Sequence, residues 1–471
     1  MDAGAEAELD LNHKNSVLKP QRSDLHAVIL ALGEADSGLD VLARDIPRGL
    51  LPLGNRPLLF YTLLALERSS FDHALVVTSQ KWAYRISSYV DELYVLDPLV
   101  RSYRDSVDHR TEHTSSFSVV TYTVGDQVGT AEALRQASSR LEGDLLVLND
   151  DLVTTDLHIY KMADVHRATD SSLILSFLGL PTNAKSRDSK AKSKGEPTVS
   201  ECVALGVPVD GTSQDGLARV LAIQPDADAY DSFYVPGNHL RLFPDLRVRR
   251  DVKDSHLYIL SHFAVDLLVK EKSLSSLSRD FVPFLVRRQH KLGFAWQGDE
   301  GHENYRIRPH QIRATKDDPV VCTSFEVGDD FAMRIDSIAD YMLVNRMLVS
   351  GAVPYVNDLL QRHGFVQGQN TKIGGDCCIG KDVTVGDKSI IQKSTIGSNT
   401  KIGGSVKITN CIVMDHVTIA DGCTISGGVI GTNVQIRERS SLKECIVAST
   451  VNIGSNEDLR NEILEPETGA L

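Results

Sequence analysis

The chain has 471 residues, enough for two or three domains with a sizeable core. Its formal charge of −13 argues against general nucleic-acid binding. Seven cysteines without a C-x-x-C pair argue against a zinc or thioredoxin-like motif and suit a reducing compartment.

Residues 1–24 are acidic and polar, lack the basic and apolar regions of a signal peptide, and are expected to be a disordered tail. No run is long and apolar enough to span a membrane: the longest, Leu257–Val269, is broken by Ser261, His262 and Asp266. A cytosolic protein without membrane partners is expected. Leu25–Ala31 (LHAVILA) is a candidate buried strand, followed by an irregular polar stretch from Gly33 to Asp45 and by Pro47-Arg48. Leu58–Arg68 has helical character; Ala74–Thr78 and Leu145–Leu148 are further buried strands, the last running into Asn149-Asp150-Asp151. Strands alternating with helices predict a parallel sheet. A carboxylate at the end of such a strand lies where ligands bind in open α/β sheets, which makes Asp151 a candidate metal ligand or, more simply, a turn residue.

Residues 183–197 carry five basic and two acidic residues without apolar periodicity and predict a flexible basic surface loop. Phe331–Val349 has helical spacing through Met333, Ile335, Ile338, Tyr341, Met342 and Met347, and predicts a helix within a linker spanning 301–365.

The last region repeats. Steps of 6, 6 and 5 residues from Ile379 to Ile453 land on fourteen positions, each Val, Ile or Leu. The position two before each is small: Cys377, Val383, Ser389, Ser394, Thr400, Val406, Cys411, Val417, Cys423, Gly428, Val434, Ser440, Cys445 and Val451. Two-residue spacing places both on one face of a strand. Three strands therefore close a 17-residue coil, and the large side chains stack from coil to coil. Glycines follow the aliphatic at Gly380, Gly386, Gly397, Gly403, Gly431 and Gly454, where the chain is expected to turn its corner. The solenoid is placed at 366–455, with 456–471 as a C-terminal tail. Its single histidine, His416, is expected to be a surface side chain.

The solenoid pattern resembles the hexapeptide repeat of left-handed β-helices; the handedness is what the resemblance implies. Leu53-Gly54-Asn55-Arg56-Pro57-Leu58, Gly129-Thr130-Ala131 and Val147-Leu148-Asn149-Asp150-Asp151 resemble three blocks of the sugar nucleotidyltransferase family, whose Rossmann-like α/β domain is expected over 25–300. In working members a Gly-x-Gly-Thr-Arg loop after the first strand cradles a triphosphate, a Pro-Lys pair follows, and a Gly-Asp pair places a magnesium-binding Asp. This chain departs at each point. The loop reads Leu32-Gly33-Glu34-Ala35-Asp36-Ser37-Gly38-Leu39, with two carboxylates where phosphate would dock. Pro47 precedes Arg48, and Asp150 stands before Asp151. The residues Gly33, Arg48, Gly129, Thr130 and Asp151 thus mark a degenerate nucleotide pocket. No catalytic residue and no cofactor are expected, with Asp151 a vestigial metal candidate.

An eroded nucleotidyltransferase-like domain followed by a left-handed β-helix is similar to two subunit families of eukaryotic translation initiation factor 2B, gamma and epsilon. Pro52–Leu58, His256–Leu260 with Phe281–Gln289, and Val406–Met414 resemble the gamma family. The epsilon family carries a further helical domain with the exchange activity, and only Ser455–Leu471 follows the solenoid here. The resemblance implies a non-catalytic subunit of the guanine-nucleotide exchange complex that pairs with epsilon and helps bind initiation factor 2. The alternatives are a sugar-phosphate nucleotidyltransferase of GDP-mannose or ADP-glucose pyrophosphorylase type, or its inactive regulatory subunit. A hexapeptide acyltransferase lacks a plausible histidine.

Overall fold

The computed structural model describes residues 25–33, 38–97, 100–101, 104, 117–141, 143–154, 159–179, 201–206, 218–225, 232–235, 243, 245–289, 320–327, 331–351 and 365–466. The expected tail 1–24, the residues Glu34 to Ser37 and the basic loop 183–197 lie outside them.

Leu25–Ala31 is a strand paired in parallel with His73–Ser79 on one side and Asp144–Asn149 on the other, and Ser118–Val124 continues the parallel half to one sheet edge. Alternation along the strand explains its burial on both faces. Ala27, Ile29 and Ala31 join one apolar core with helices Leu58–Arg68 and Ile338–Val349. Val28 and Leu30 join a second core with helices Thr130–Ala137, His262–Lys270 and Val282–Arg288.

The sheet has ten strands and is mixed rather than wholly parallel. Val252–Leu260 runs antiparallel between Asp144–Asn149 and Leu173–Gly179, so two parallel strands are separated by a reversed one. Cys322–Glu326 pairs in parallel with Leu173–Gly179 and antiparallel with Ala218–Gln224. The front sheet therefore draws a strand from the segment expected to be linker. Residues 332–334, expected to open the helix, form a short strand antiparallel to Leu152–Thr154; the helix itself begins at Ile338, capped by Ser337.

Behind this domain the chain forms stacked coils from Val366–Gln367 to Ile463–Leu464. Residues pair in parallel with those 17 further on: Val385 with Ile402, then Ile419, Ile436 and Ile453. All fourteen predicted aliphatics lie in one solenoid core. The small positions beside them are buried as well. The pairing continues past 455, where a tail was expected: Leu442 faces Leu459 and Val447 faces Leu464. The first coil is one residue longer, with Ile373 opposite Ile391.

The corners differ from expectation. The left-handed backbone falls on the residue before every small inward position after Cys377, as at Asp382 (φ 56°), Asn399 (56°), Asn410 (55°) and His416 (59°). Asparagine and aspartate tolerate that conformation best among residues bearing a Cβ. The glycines after the aliphatics serve close approach instead: a Cβ on Gly397 would lie 2.5 Å from the backbone carbon of Met414 in the next coil. His416 is an exposed corner residue. All seven cysteines are buried and none is in a disulfide.

The two domains share a packed junction. Ile412, Met414 and Val429 of the solenoid belong to the front-domain core. The Gly54-Asn55 turn, with Asn55 at φ 64°, points into the same junction. Asn55 Nδ2 donates to the Ile396 carbonyl at 3.0 Å. The buried Asn345 accepts from Gly54 N–H at 3.0 Å and donates to Thr395 Oγ1 at 2.9 Å.

Candidate functional site

Asp151 follows the Asp144–Asn149 strand, as the sequence predicts, and its carboxylate is 1% exposed. Arg48 sits in a short 3-10 turn after Pro47 and is itself buried. Its Nη2 donates to Asp151 Oδ2 at 2.9 Å and to the Ile335 carbonyl at 2.5 Å. Gly49 leaves room for the neighbouring Asp150, whose Oδ2 would lie 2.8 Å from a Cβ there. Of the five residues marked in sequence, the structure joins these two.

Three further groups complete the cluster. His256, at φ 57° beside a register shift in its strand, places Nδ1 at 3.4 Å from Asp151 Oδ2 and 2.9 Å from Asn149 Nδ2. Arg334 Nε lies 3.9 Å from Asp151 Oδ2, while its Nη1 donates to the Asp254 carbonyl at 2.7 Å and its Nη2 to Asp336 at 2.7 Å. Glu201 Oε2 accepts from Asp254 N–H at 2.7 Å, and Tyr258 OH donates to Asp254 Oδ2 at 2.5 Å. None of these was singled out as a site residue in the sequence. Only His256 and Tyr258 carried a signal, as residues of one family-like block.

The electrostatics follow from this packing. Burial alone would raise the Asp151 pKa, but Arg48, His256 and Arg334 outweigh it and hold the group near 2. Burial and Arg334 disfavour the His256 cation, yet Asp151 and Asp254 raise its pKa above the ordinary histidine value. Glu201 is pushed up to about 7, by burial first and by Asp254 second.

The Glu201 shift has a testable consequence. Unfolded, Glu201 titrates at its ordinary value near 4.5; folded, it keeps its proton to about 7. Its contribution to stability is thus fully present below the unfolded value and is lost as pH rises through 7, with a slope approaching about 1.4 kcal/mol per pH unit. The melting temperature of Glu201→Gln is expected to lack that decline between pH 5 and 7. Parallel slopes for both proteins would show that Glu201 does not titrate there.

The other marked residues are engaged elsewhere. A Cβ on Gly129 would lie 2.3 Å from Ser275 Oγ. Ala131 N–H donates to the Ser275 carbonyl at 2.8 Å, and Thr130 Oγ1 accepts from Leu277 N–H at 2.9 Å. The start of helix Thr130–Ala137, whose free N–H groups would suit an anion, thus meets protein oxygen. Gly33 has left-handed backbone at φ 69°, with open space around it. Beyond it, Gly38 N–H donates to the Asp336 carbonyl at 3.0 Å, Val41 packs on the solenoid core, and Arg44 pairs with Glu465 at 3.5 Å. Gly38, Val41 and Arg44 thus join the front domain to the solenoid.

The resemblance to nucleotidyltransferases implies magnesium on Asp151, and the residues present do not fit that ion. Oδ2 already faces two guanidinium groups and an imidazole; Oδ1 has no hydrogen-bond partner, but it is one buried oxygen beside those cations. Among the described residues, no three or more His, Cys, Asp or Glu side chains gather in a way that could hold a metal. Nor is any helix among them long and apolar enough to cross a membrane.

This geometry defines a class: a nucleotidyltransferase-type α/β domain joined to a left-handed β-helix. The Nucleotidyl transferase family model matches residues 26–188, and the model of the EIF2B subunit epsilon LbH domain matches residues 357–459. The chain is similar to gamma subunits of translation initiation factor eIF2B. It is 25% identical over 415 residues to that of Dictyostelium discoideum, covering 81% of this chain and 89% of the relative. It is 22% identical over 404 residues to that of Schizosaccharomyces pombe, covering 81% and 76%. Against that of Caenorhabditis elegans it is 24% identical over 266 residues, covering 56% and 59%.

Proposed function

We propose that this chain is the gamma-type subunit of the cytosolic initiation factor 2B guanine-nucleotide exchange complex, acting through its surfaces and not by chemistry of its own. The observation that carries this reading is the likeness to eIF2B gamma subunits along both domains, with 81% of the chain covered in two relatives. The Arg48–Asp151 pair supports the non-catalytic part, because guanidinium already holds Oδ2 at 2.9 Å and Oδ1, which has no hydrogen-bond partner, is buried away from any magnesium–phosphate group in solvent. The packed junction between domains suits a scaffold that presents solenoid and sheet surfaces together. In this reading the chain pairs with epsilon, assembles with the other subunits, and contributes surface for initiation factor 2.

The test is affinity purification of the tagged full chain from its own cells, with the co-purifying proteins identified by mass spectrometry. Epsilon and the remaining subunits are expected in near-equal amounts; repeated recovery without epsilon counts against the reading. The pyrophosphorylase alternative is tested by incubating the purified chain with GTP or ATP, a sugar 1-phosphate and magnesium. Pyrophosphate release at the level of a protein-free blank is expected.

A further inference from the structure

We infer that Arg48 is a permanent internal counter-ion of Asp151, standing where a divalent cation would bind, and that this pair anchors the junction between the two domains. The inference deepens the non-catalytic part of the reading above and rests on it.

The geometry supplies the argument. Asp151 is 1% exposed and Arg48 is 6% exposed, so neither charge has water as an alternative partner. One guanidinium nitrogen, Arg48 Nη2, touches both Asp151 Oδ2 and the Ile335 carbonyl. The backbone returns the contact, with Ile335 N–H donating to the Asp151 carbonyl at 2.9 Å. Segment 332–335 is thereby held to the strand end from two sides. Arg334 brings a second cation to the carboxylate and continues the network to Asp254 and Asp336. Lys253 Nζ then bridges Asp336 at 2.8 Å and Asp340 at 3.3 Å, at the start of helix Ile338–Val349. That helix carries Asn345, which bonds Gly54 and Thr395 of the two domains. The carboxylate is therefore joined through this network to the start of the helix, and through the helix itself to the solenoid.

A divalent cation on Asp151 Oδ2 would have to displace Arg48, and one on the unpartnered Oδ1 would have no group of further ligands among the described residues and would face the same buried guanidinium. Both charges are too deeply buried for that displacement to be compensated by solvent. The chain has thus exchanged a removable ion for a covalently attached one, which cannot dissociate.

The test uses the full chain and has two arms. In the first, wild type is titrated with Mn²⁺ and bound metal is read by electron paramagnetic resonance, alongside the melting temperature. No bound Mn²⁺ and no shift in melting temperature are expected. One equivalent of bound Mn²⁺ that disappears in Asp151→Asn overturns the inference, even if epsilon still co-purifies with the chain. The second arm is a double-mutant cycle. Arg48→Met and Asp151→Asn are each expected to lower the melting temperature by roughly 5 °C or more, because each leaves one buried charge unpaired. The double variant is expected to recover more than half of either loss. Additive losses overturn the inference. If a single variant does not fold, the wild-type Mn²⁺ titration still decides.

Discussion

Val429→Asp is expected to uncouple the two domains while leaving the coils intact. Val429 follows the inward position Gly428 in its strand and points outward from the solenoid. Yet it is 0% exposed, because it packs into the front-domain core with Ile412 and Met414. A carboxylate there would be buried without a partner, at a cost of several kcal/mol that exceeds what one junction can absorb. Calorimetry of the wild type should show the domains melting together, and the variant should show two separated transitions with new protease sensitivity near the junction. A single wild-type transition in the variant would mean that the junction contributes little.

Gly428→Ala attacks the coil itself. Gly428 has φ 115°, and a Cβ there would lie 2.0 Å from the Cys445 carbonyl oxygen in the next coil. Relief requires pulling apart Gly428 and Cys445, which are paired in the ladder. The expected loss is about 3 kcal/mol or more, since backbone strain and overpacking add. Denaturant unfolding followed by far-ultraviolet dichroism measures it. Retention of wild-type stability would show that the last coils can shift to admit the methyl group.

Much of the solenoid was legible because its physics is local and periodic. Each strand must bury one small and one large residue on the same face, and the 17-residue repeat displays that requirement directly. Two more steps of the same rule land on Leu459 and Leu464, so the coils beyond 455 were also readable. The docking face was written in the same register: Ile412, Val429, Ile446 and Ile463 precede the inward aliphatics at 17-residue intervals and pair in sequence. An outward aliphatic in each of several coils marks a covered face, while the end of the ladder, Ile463, is 57% exposed. The glycines misled because sequence cannot distinguish a turn from a close approach. Both exclude a Cβ, and only the neighbouring coil shows which applies.

In the front domain, Leu25–Ala31, Ala74–Thr78 and Leu145–Leu148 were visible as apolar runs, whereas the edge strand Ser118–Val124, mostly exposed or half-buried, was not read. The reversed strand Val252–Leu260 in the middle of the sheet was not, because strand order is a long-range choice that local pattern does not encode.

Sequence alone determined the two-part architecture, the solenoid period, and the departure from the Gly-x-Gly-Thr-Arg pattern after the first strand, since each depends on residue type and near-neighbour spacing. Tertiary structure decided the fate of what remained. Arg48 and Asp151 lie 103 residues apart, and His256 and Arg334 arrive from still further along the chain. Whether such charges face solvent, a ligand or one another depends on which segments the core brings together and how deeply it buries them. Folding placed them together out of water, where opposite charges must pair.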